Sequence, residues 1–359
     1  MRTFRIAVAA ALLLFLPQVQ AAPCAGFTDV EDTDPFCANV AWLKSRNVTL
    51  GCAVSLYCPN DAVNRLAMAA FLNRLGDTLV PPGIVWVGQE GGMFQSIQQA
   101  IDYAAALPAP DRRVVRIAPG TYTGRIVMAG NVDVEGSGET ATTITSTCGP
   151  GAGENATVSG SGGQLRRVTV SIDGGGFSGS CAAVDVGAGG MLRNVYVSGT
   201  AIQATLYGVR IALPAASYLT TPTLADVSVA VSHANFQVVG IDVTAPSPAH
   251  LNLRNVEVRA TGPSPTALRF SNAQATLDRV TATAAQGVPN GSARVLFVDG
   301  ASNILVTNAS LRNLAGGTFA ENPSAGASLK LANTLAQGTS SGTVTCLNVY
   351  SESLAAVVC

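Results

Sequence analysis

One short phrase of alternating apolar residues returns along the second half of the chain and restricts the possible folds more than any other feature. It has the form Leu-x-x-Val-x-Val, and each copy starts 24 to 32 residues after the previous one. A period of this size, built from short strands and polar turns, is typical of a solenoid in which each copy forms one coil. The copies are LRRVTV (165–170), LRNVYV (192–197), LADVSV (224–229), LRNVEV (253–258) and LDRVTA (277–282), with weaker copies VTNASL (306–311) and LANTLA (331–336).

The alternation within each copy indicates strands, because apolar residues at every second position face one side of a strand. We expect the leucine and the two valines to stack on inward columns. The residue before the first valine falls at a turn, where asparagine is favoured because it tolerates a left-handed backbone and bonds nearby amides. We interpret this turn column as structural, and its members are Arg167, Asn194, Asp226, Asn255, Arg279, Asn308 and Asn333.

These patterns predict an all-β domain over residues 84–359, a right-handed parallel β-helix. A leucine-rich repeat would need more leucine and a shorter, stricter period. Residues 93–107 have the spacing of an amphipathic helix, with Phe94, Ile97 and Ile101 on one face. We expect this helix to cap the first coil, whose exposed strand edge would otherwise pair with other chains.

The N-terminus has the features of an export signal. Arg2 and Arg5 precede an apolar run of 11 residues, 6–16, which is too short to span a bilayer. The sequence therefore predicts a signal peptide over 1–21, cleaved after Ala21. No later segment is apolar enough to cross a membrane, so the expected location is secreted, extracellular or on the cell surface, with the periplasm also open.

The charge of the chain argues against nucleic acid as a partner. The net charge is −1 and 12% of the residues are charged, whereas a nucleic-acid binder carries a basic stripe. We expect no metal and no cofactor, since the chain has only two histidines, His233 and His250, and no phosphate-binding motif.

The number of cysteines predicts disulfides. An even number in an exported chain favours disulfide bonds, and a zinc site is disfavoured because no C-x-x-C pair occurs. Neighbours along the chain are the favoured pairs, although the sequence leaves the connectivity open. The eight cysteines are Cys24, Cys37, Cys52, Cys58, Cys148, Cys181, Cys346 and Cys359.

Residues 24–77 differ from the repeats and predict a small helical module, followed by a linker at 78–83. Phe36, Val40 and Leu43 have helical spacing, and so does a second set that begins with Val63 and Leu66. A segment of this length makes a poor apolar core, so disulfides there are physically reasonable.

The module resembles an S-layer homology module in the order FTDV (27–30), Trp42-Leu43, Gly51, CPN (58–60) and MAAFL (68–72). In that family the module holds proteins non-covalently on cell-wall polysaccharide. The usual Thr-Arg-Ala-Glu stretch appears here as NRLA (64–67), so the resemblance implies one candidate binding residue, Arg65.

Residues 84–146 resemble the start of pectin-lyase-fold proteins, especially pectinesterases. The resemblance rests on GGMFQSIQQAIDYA (91–104), VVRIAPGTYTGRIVM (114–128) and NVDVEGSGETATTITS (131–146). It implies the β-helix fold and an extracellular or cell-wall polysaccharide as partner. The family's catalytic phrases, Gln-Asp-Thr, Asp-Phe-Ile and Gly-Arg-Pro-Trp, do not occur in this chain.

The remaining candidates for chemistry are Asp173, Asp185 and Arg210 on the early coils, where stacking could bring two of them together. Scattered surface charge is the ordinary alternative for all three. The sequence therefore favours a non-catalytic β-helix that binds or displays on polysaccharide or a cell surface. The alternative is a divergent polysaccharide-acting enzyme, which needs two carboxylates about 5–10 Å apart in one groove if it is a glycosidase.

Overall fold

The computed structural model describes residues 22–79, 83–107, 112–149, 155–213, 222–244, 250–286, 292–357 and 359. The expected signal peptide over 1–21 lies outside this range. The chain divides into two compact units, one ending at Pro82 and the other running from Gly83 to Cys359. Within the described residues, no helix has the length and apolar character needed to cross a bilayer.

The first unit contains a two-stranded antiparallel sheet and two helices. Its core consists of Cys24, Phe27, Val30 and Val40, and the Lys44 ammonium lies 3.8 Å from the centroid of the Phe27 ring. Disulfides join Cys24 to Cys37 and Cys52 to Cys58. The elements are β1 (Pro23–Cys24), β2 (Phe27–Glu31), α1 (Cys37–Ser45) and α2 (Arg65–Leu79).

The apolar faces expected for these helices are only partly buried. Phe36 caps α1 and is 67% exposed, Val63 precedes α2, and Leu66 on α2 is 84% exposed. The expectation holds for Val40 and fails for Phe36 and Leu66, because the core of this small unit forms around β2 and α1 and a unit of this size buries few side chains. The likeness of this unit to an S-layer homology module stays a prediction.

The second unit contains two parallel sheets, and most coils give strands to both. In the nine-stranded sheet the order is β24-β22-β19-β17-β15-β13-β11-β9-β6. These strands are β6 (Ile126–Met128), β9 (Ala156–Gly160), β11 (Ser180–Val186), β13 (Thr205–Ala212), β15 (Gln237–Thr244), β17 (Ser264–Ser271), β19 (Arg294–Asp299), β22 (Thr318–Asn322) and β24 (Thr339–Gly342).

The fourteen-stranded sheet contains the repeated phrases. Every pair of named strands in this unit is parallel, and the pairs join successive coils, so the predicted parallel β-helix is confirmed. Nearly all crossovers between parallel strands are right-handed. Its strands are β3 (Ile84–Val87), β4 (Arg113–Ile117), β5 (Gly120–Thr123), β7 (Val132–Glu135), β8 (Thr142–Thr147), β10 (Gln164–Asp173), β12 (Met191–Ala201), β14 (Thr223–His233), β16 (His250–Gly262), β18 (Gln274–Gln286), β20 (Asn303–Thr307), β21 (Ser310–Asn313), β23 (Ser328–Gln337) and β25 (Val344–Tyr350).

The repeated phrases stack in the predicted register. Leu165 pairs with Leu192, and the column continues through the other copies as far as Leu331, each member at most 3% exposed. All seven members of the predicted turn column have φ between 49° and 57°. The Asn255 side-chain amide donates to Oδ1 of Asp226 on the previous coil (2.7 Å), so the column is also bonded along the solenoid.

The predicted cap forms α3 (Ile97–Ala106), which buries Ile97, Ala100, Ile101 and Ala104 against the first coils. It is shorter than the expected 93–107 because Phe94 pairs with Val87 before the helix begins. Two disulfides close segments of this unit, Cys148–Cys181 and Cys346–Cys359.

A buried histidine fixes the turn between β14 and β15. His233 is 5% exposed. Its Nδ1 accepts the backbone N–H groups of Asn235 and Phe236 (2.9 and 2.8 Å), and its Nε2 bonds to the Ala204 carbonyl. Burial lowers the pKa of His233 below its ordinary value, and this outweighs the opposite effect of the Ala204 carbonyl. The neutral ring is therefore the form that fits this turn.

Replacing Asn255 separates backbone strain from hydrogen bonding in the turn column. Alanine at position 255 loses the bond to Asp226 and also strains the left-handed backbone, whereas glycine loses only the bond. We therefore expect the free energy of unfolding in urea to be about 1 kcal/mol lower for N255A than for N255G. Asn252 is an exposed position in the strand part of β16. There we expect N252A to be more stable than N252G, because glycine weakens strands. Equal stability of N255A and N255G would contradict the role of the left-handed turn.

The environment of His233 predicts acid sensitivity. The unfolded chain binds a proton near the ordinary pKa of about 6.5, and the folded chain resists it. The contribution of His233 to the free energy of unfolding is therefore complete above about pH 6.5, and it falls as the pH drops from there toward the lower folded-state pKa. We expect H233Q to flatten this dependence in thermal unfolding between pH 5 and 8. The variant H250Q, at an exposed histidine bonded to the Thr276 hydroxyl, should keep the wild-type profile, and an equal change in both variants would contradict the assignment.

Candidate functional site

A line of alternating charges crosses the nine-stranded sheet on four consecutive coils. Asp185 on β11 is in register with Arg210 on β13, followed by Asp242 on β15 and Arg269 on β17. We call these four residues the charge ladder. Parallel strands lie about 4.8 Å apart, so each acid faces an arginine one strand spacing away.

The charge ladder consists of two close ion pairs. Nη2 of Arg210 donates to Oδ2 of Asp185 (2.5 Å). Nε and Nη2 of Arg269 donate to the two carboxylate oxygens of Asp242 (2.5 and 2.9 Å), a bidentate pair. Asp242 is the most enclosed of the four, at 4% exposed, whereas Asp185 and Arg210 keep about a quarter of their side-chain surface.

Both guanidinium groups stay charged in this setting. Burial by itself lowers the pKa of Arg210, but the hydrogen bond and charge of Asp185 outweigh it, and the pKa is raised. The pKa of Arg269 is also raised, because Asp242 more than offsets the effect of burial. The two arginines therefore remain charged hydrogen-bond donors over the working range of pH.

An aromatic ring lies beside both arginines. The guanidinium carbons of Arg210 and Arg269 are 5.8 and 5.7 Å from the centroid of the Tyr207 ring, within the range of cation–π attraction. The next residue, Gly208, faces inward, where a side chain would collide with Val229 and with the backbone of Gly240. The backbone of β13 therefore lies close to the core at the point where Tyr207 and Arg210 are presented.

The structure brings together two of the three residues that the sequence singled out. Asp185 and Arg210 form an ion pair, as coil stacking allowed. Asp173 does not join them, because it ends β10 on the other sheet, where its carboxylate accepts the Gly175 N–H (3.0 Å). Its side chain satisfies a turn, which is a common use of aspartate. Arg65 is exposed at the first position of α2 in the other unit.

Three residues of the site were missed by the sequence reasoning: Tyr207, Asp242 and Arg269. The available signal was a second repeated phrase, apolar-charged-apolar, which occurs as VDV (184–186), VRI (209–211), IDV (241–243) and LRF (268–270). The charge at its centre alternates from coil to coil. The central position is aspartate on one coil and arginine on the next. A comparison that looks for the same residue type at each repeat therefore does not find this phrase.

The described residues contain no group of three or more His, Cys, Asp or Glu side chains that could hold a metal ion. The groups of the charge ladder that keep exposed surface are the Asp185 carboxylate and the two guanidinium groups, with the Tyr207 ring beside them, whereas Asp242 is enclosed and holds Arg269. The backbone positions of Asp185 and Asp242 are two strand spacings apart, about 10 Å measured across the strands.

Comparison with known proteins gives a likeness of architecture. No protein-family model matches the chain, and no curated protein does. The carrot pectin methylesterase structure matches with a TM-score of 0.46 at 15% identity, covering 76% of this chain and 84% of that chain. Escherichia coli YbhC matches at 0.45 and 12%, covering 89% and 84%. A tailspike protein of the Acinetobacter baumannii bacteriophage Fri1, a capsular polysaccharide depolymerase, matches at 0.37 and 13%, covering 77% and 58%. At these values the likeness carries no statement about activity.

The difference in burial between the two ion pairs predicts different costs of breaking them. D242N leaves the partly buried Arg269 without its bidentate partner, and we expect a loss of about 2 kcal/mol in the free energy of unfolding. D185N breaks a more exposed pair and should cost about 1 kcal/mol or less. Urea unfolding of both variants measures the difference, and equal losses would contradict the description of Asp242 as the enclosed member.

Proposed function

We propose that this chain is an exported polysaccharide-binding protein whose β-helix binds its glycan across the charge ladder and does not cleave it. The observation that carries this proposal is the in-register arrangement of Asp185, Arg210, Asp242 and Arg269 beside Tyr207. Sugar hydroxyls both donate and accept hydrogen bonds, and the partly exposed Asp185 carboxylate next to the guanidinium groups of Arg210 and Arg269 supplies both kinds of partner.

The shape of the surface supports a polymer as ligand. The ladder runs along the solenoid axis, and repeat folds of this kind present extended surfaces that suit extended partners. Tyr207 adds an apolar ring face next to the charged groups, a combination that is common in sites where a few polar groups orient a ligand. Four disulfides also fit a location outside the cytoplasm.

The ion pairs argue for binding over catalysis. A carboxylate that acts as nucleophile or as acid–base catalyst must be free to attack or to exchange a proton with the substrate. Both oxygens of Asp242 and one oxygen of Asp185 already accept guanidinium N–H groups. The hydrogen bonds to these arginines occupy the oxygens that such a catalyst would need to leave free.

A divergent polysaccharide hydrolase is the second candidate. It is favoured by the position of Asp185 and Asp242 on one sheet face, because their backbone separation of about 10 Å is close to the upper limit for the carboxylates of inverting glycosidases. In that case a sugar lying over Arg210 would have one carboxylate on either side.

We further propose that the first unit attaches the β-helix to an envelope polymer. The proposal rests on the resemblance of residues 26–75 to an S-layer homology module and on the exposure of Arg65 at the start of α2. A guanidinium in that position can donate to sugar hydroxyls or to anionic groups of a wall polymer.

The proposal predicts that the full chain binds members of a glycan array and that the double variant R210Q/R269Q loses at least about tenfold in affinity, because charge-assisted hydrogen bonds are lost. The matched control is R312Q, which removes one arginine of an exposed pair with Glu352 on the other sheet. Unchanged affinity in R210Q/R269Q, or equal loss in R312Q, would disprove the ladder as the binding surface.

An activity assay separates the two candidates. Purified full chain is incubated with each bound glycan and with methyl-esterified and de-esterified polygalacturonate, and methanol, unsaturated uronates and reducing ends are measured. We expect none of these products. Release of any of them that D242N abolishes would favour the enzyme and overturn the binding-only proposal.

A further inference from the structure

A second column of charged residues lies on the outer face of the fourteen-stranded sheet. Arg116 on β4 is in register with Glu135 on β7, which is followed by Arg166 on β10 and Arg193 on β12. After Ala225 the column continues to Arg254 on β16. The left-handed turn residues Arg167 and Arg279 lie immediately beside this column. We call the arginine strip the set Arg116, Arg166, Arg167, Arg193, Arg254 and Arg279.

The arginine strip holds more arginines than acids on its two columns. Its six arginines have three acids on the same two columns, namely Glu135, Asp226 and Asp278. Glu135 alone serves three of the arginines, at N–O distances of 3.6 Å from Arg116, 3.1 Å from Arg166 and 3.3 Å from Arg167. The charge ladder, in contrast, has one acid for each arginine. A chain with a net charge of −1 thus accumulates positive charge on one face.

Parts of the strip have donors available for a ligand. Arg193 and Arg254 are exposed, and within the described residues neither forms an ion pair. Nε of Arg166 is enclosed, and in the described part of the chain it has no hydrogen-bond partner. At the end of the column the Arg116 guanidinium lies 5.7 Å from the Trp86 ring centroid, and Trp86 is 40% exposed.

We propose that the arginine strip binds a linear acidic polysaccharide, with carboxylate, phosphate or sulfate groups pairing with guanidinium groups on successive coils. Guanidinium matches the geometry of such oxyanions with two parallel hydrogen bonds. From β4 to β18 the strip crosses six strand spacings, about 29 Å, which is long enough for several residues of a polymer. Trp86 provides a ring for stacking at one end. The site lies on a different sheet from the charge ladder and does not depend on the function proposed for the ladder.

Two substitutions test the strip without disturbing an ion pair. In R193Q/R254Q the full chain loses two exposed charges of the strip. The control R259Q removes one exposed arginine from β16, the same strand that holds Arg254, but from the part beyond the turn and outside the strip. Binding is measured by titration against dextran sulfate, alginate and neutral dextran over a range of salt concentrations, with duplex DNA as a second polyanion.

We expect the full chain to bind dextran sulfate or alginate and not neutral dextran, and the tighter of the two distinguishes sulfate-like from carboxylate ligands. In R193Q/R254Q the affinity should fall roughly tenfold, and the dependence of affinity on salt should become less steep, since fewer counterions are released. R259Q should bind as the wild type does.

Equal binding to neutral dextran, unchanged affinity in R193Q/R254Q, or the same loss in R259Q would overturn the proposal. Tighter binding to DNA than to either acidic polysaccharide would overturn the assignment of the ligand class. The ladder variant R210Q/R269Q separates the two proposals. If it loses glycan binding and still binds the acidic polymer, the arginine strip acts independently of the charge ladder.

Discussion

The left-handed turn inside each long strand of the fourteen-stranded sheet is the constraint on which the rest of this β-helix depends. It lets the chain change direction without leaving the sheet, so the leucine before it and the valines after it both return above their counterparts on the previous coil. Asparagine and aspartate tolerate this backbone, and the bond between Asn255 and Asp226 ties neighbouring turns together. Once the register is fixed, every outward position also falls into a column.

The surface chemistry follows from these columns. Charged residues at the same position on successive coils lie one strand spacing apart. The residue on the adjacent coil therefore decides whether a charge is paired or left for a ligand. On the nine-stranded sheet the neighbours are opposite in sign, so acids and arginines pair and form an ordered surface beside Tyr207. On the fourteen-stranded sheet the column holds more arginines than acids, and three arginines share Glu135. The same scaffold thus presents a neutral surface on one sheet and a basic surface on the other.

The sequence predicted the solenoid and its register because the responsible residues repeat in kind. Leucine and valine mark the inward columns, and asparagine marks the turn. The charge ladder was half found, since Asp185 and Arg210 drew attention as isolated charges, while Asp242 and Arg269 belong to the same column but alternate in sign. The arginine strip could not be predicted from the composition, because a net charge of −1 does not show how the charges are distributed over the two sheets. In the first unit, helical spacing suggested buried faces at Phe36 and Leu66, but burial depends on whether another element covers them.

The central claim is that columns fixed by coil register form a surface that holds a glycan without cleaving it. A crystal structure of the full chain with a bound oligosaccharide from the glycan array tests this most directly. The account predicts an intact sugar chain lying along the solenoid axis over Arg210 and Arg269, in contact with Tyr207, with both ion pairs retained. A sugar bound elsewhere with the ladder uncovered, or a cleaved product between Asp185 and Asp242, would contradict it.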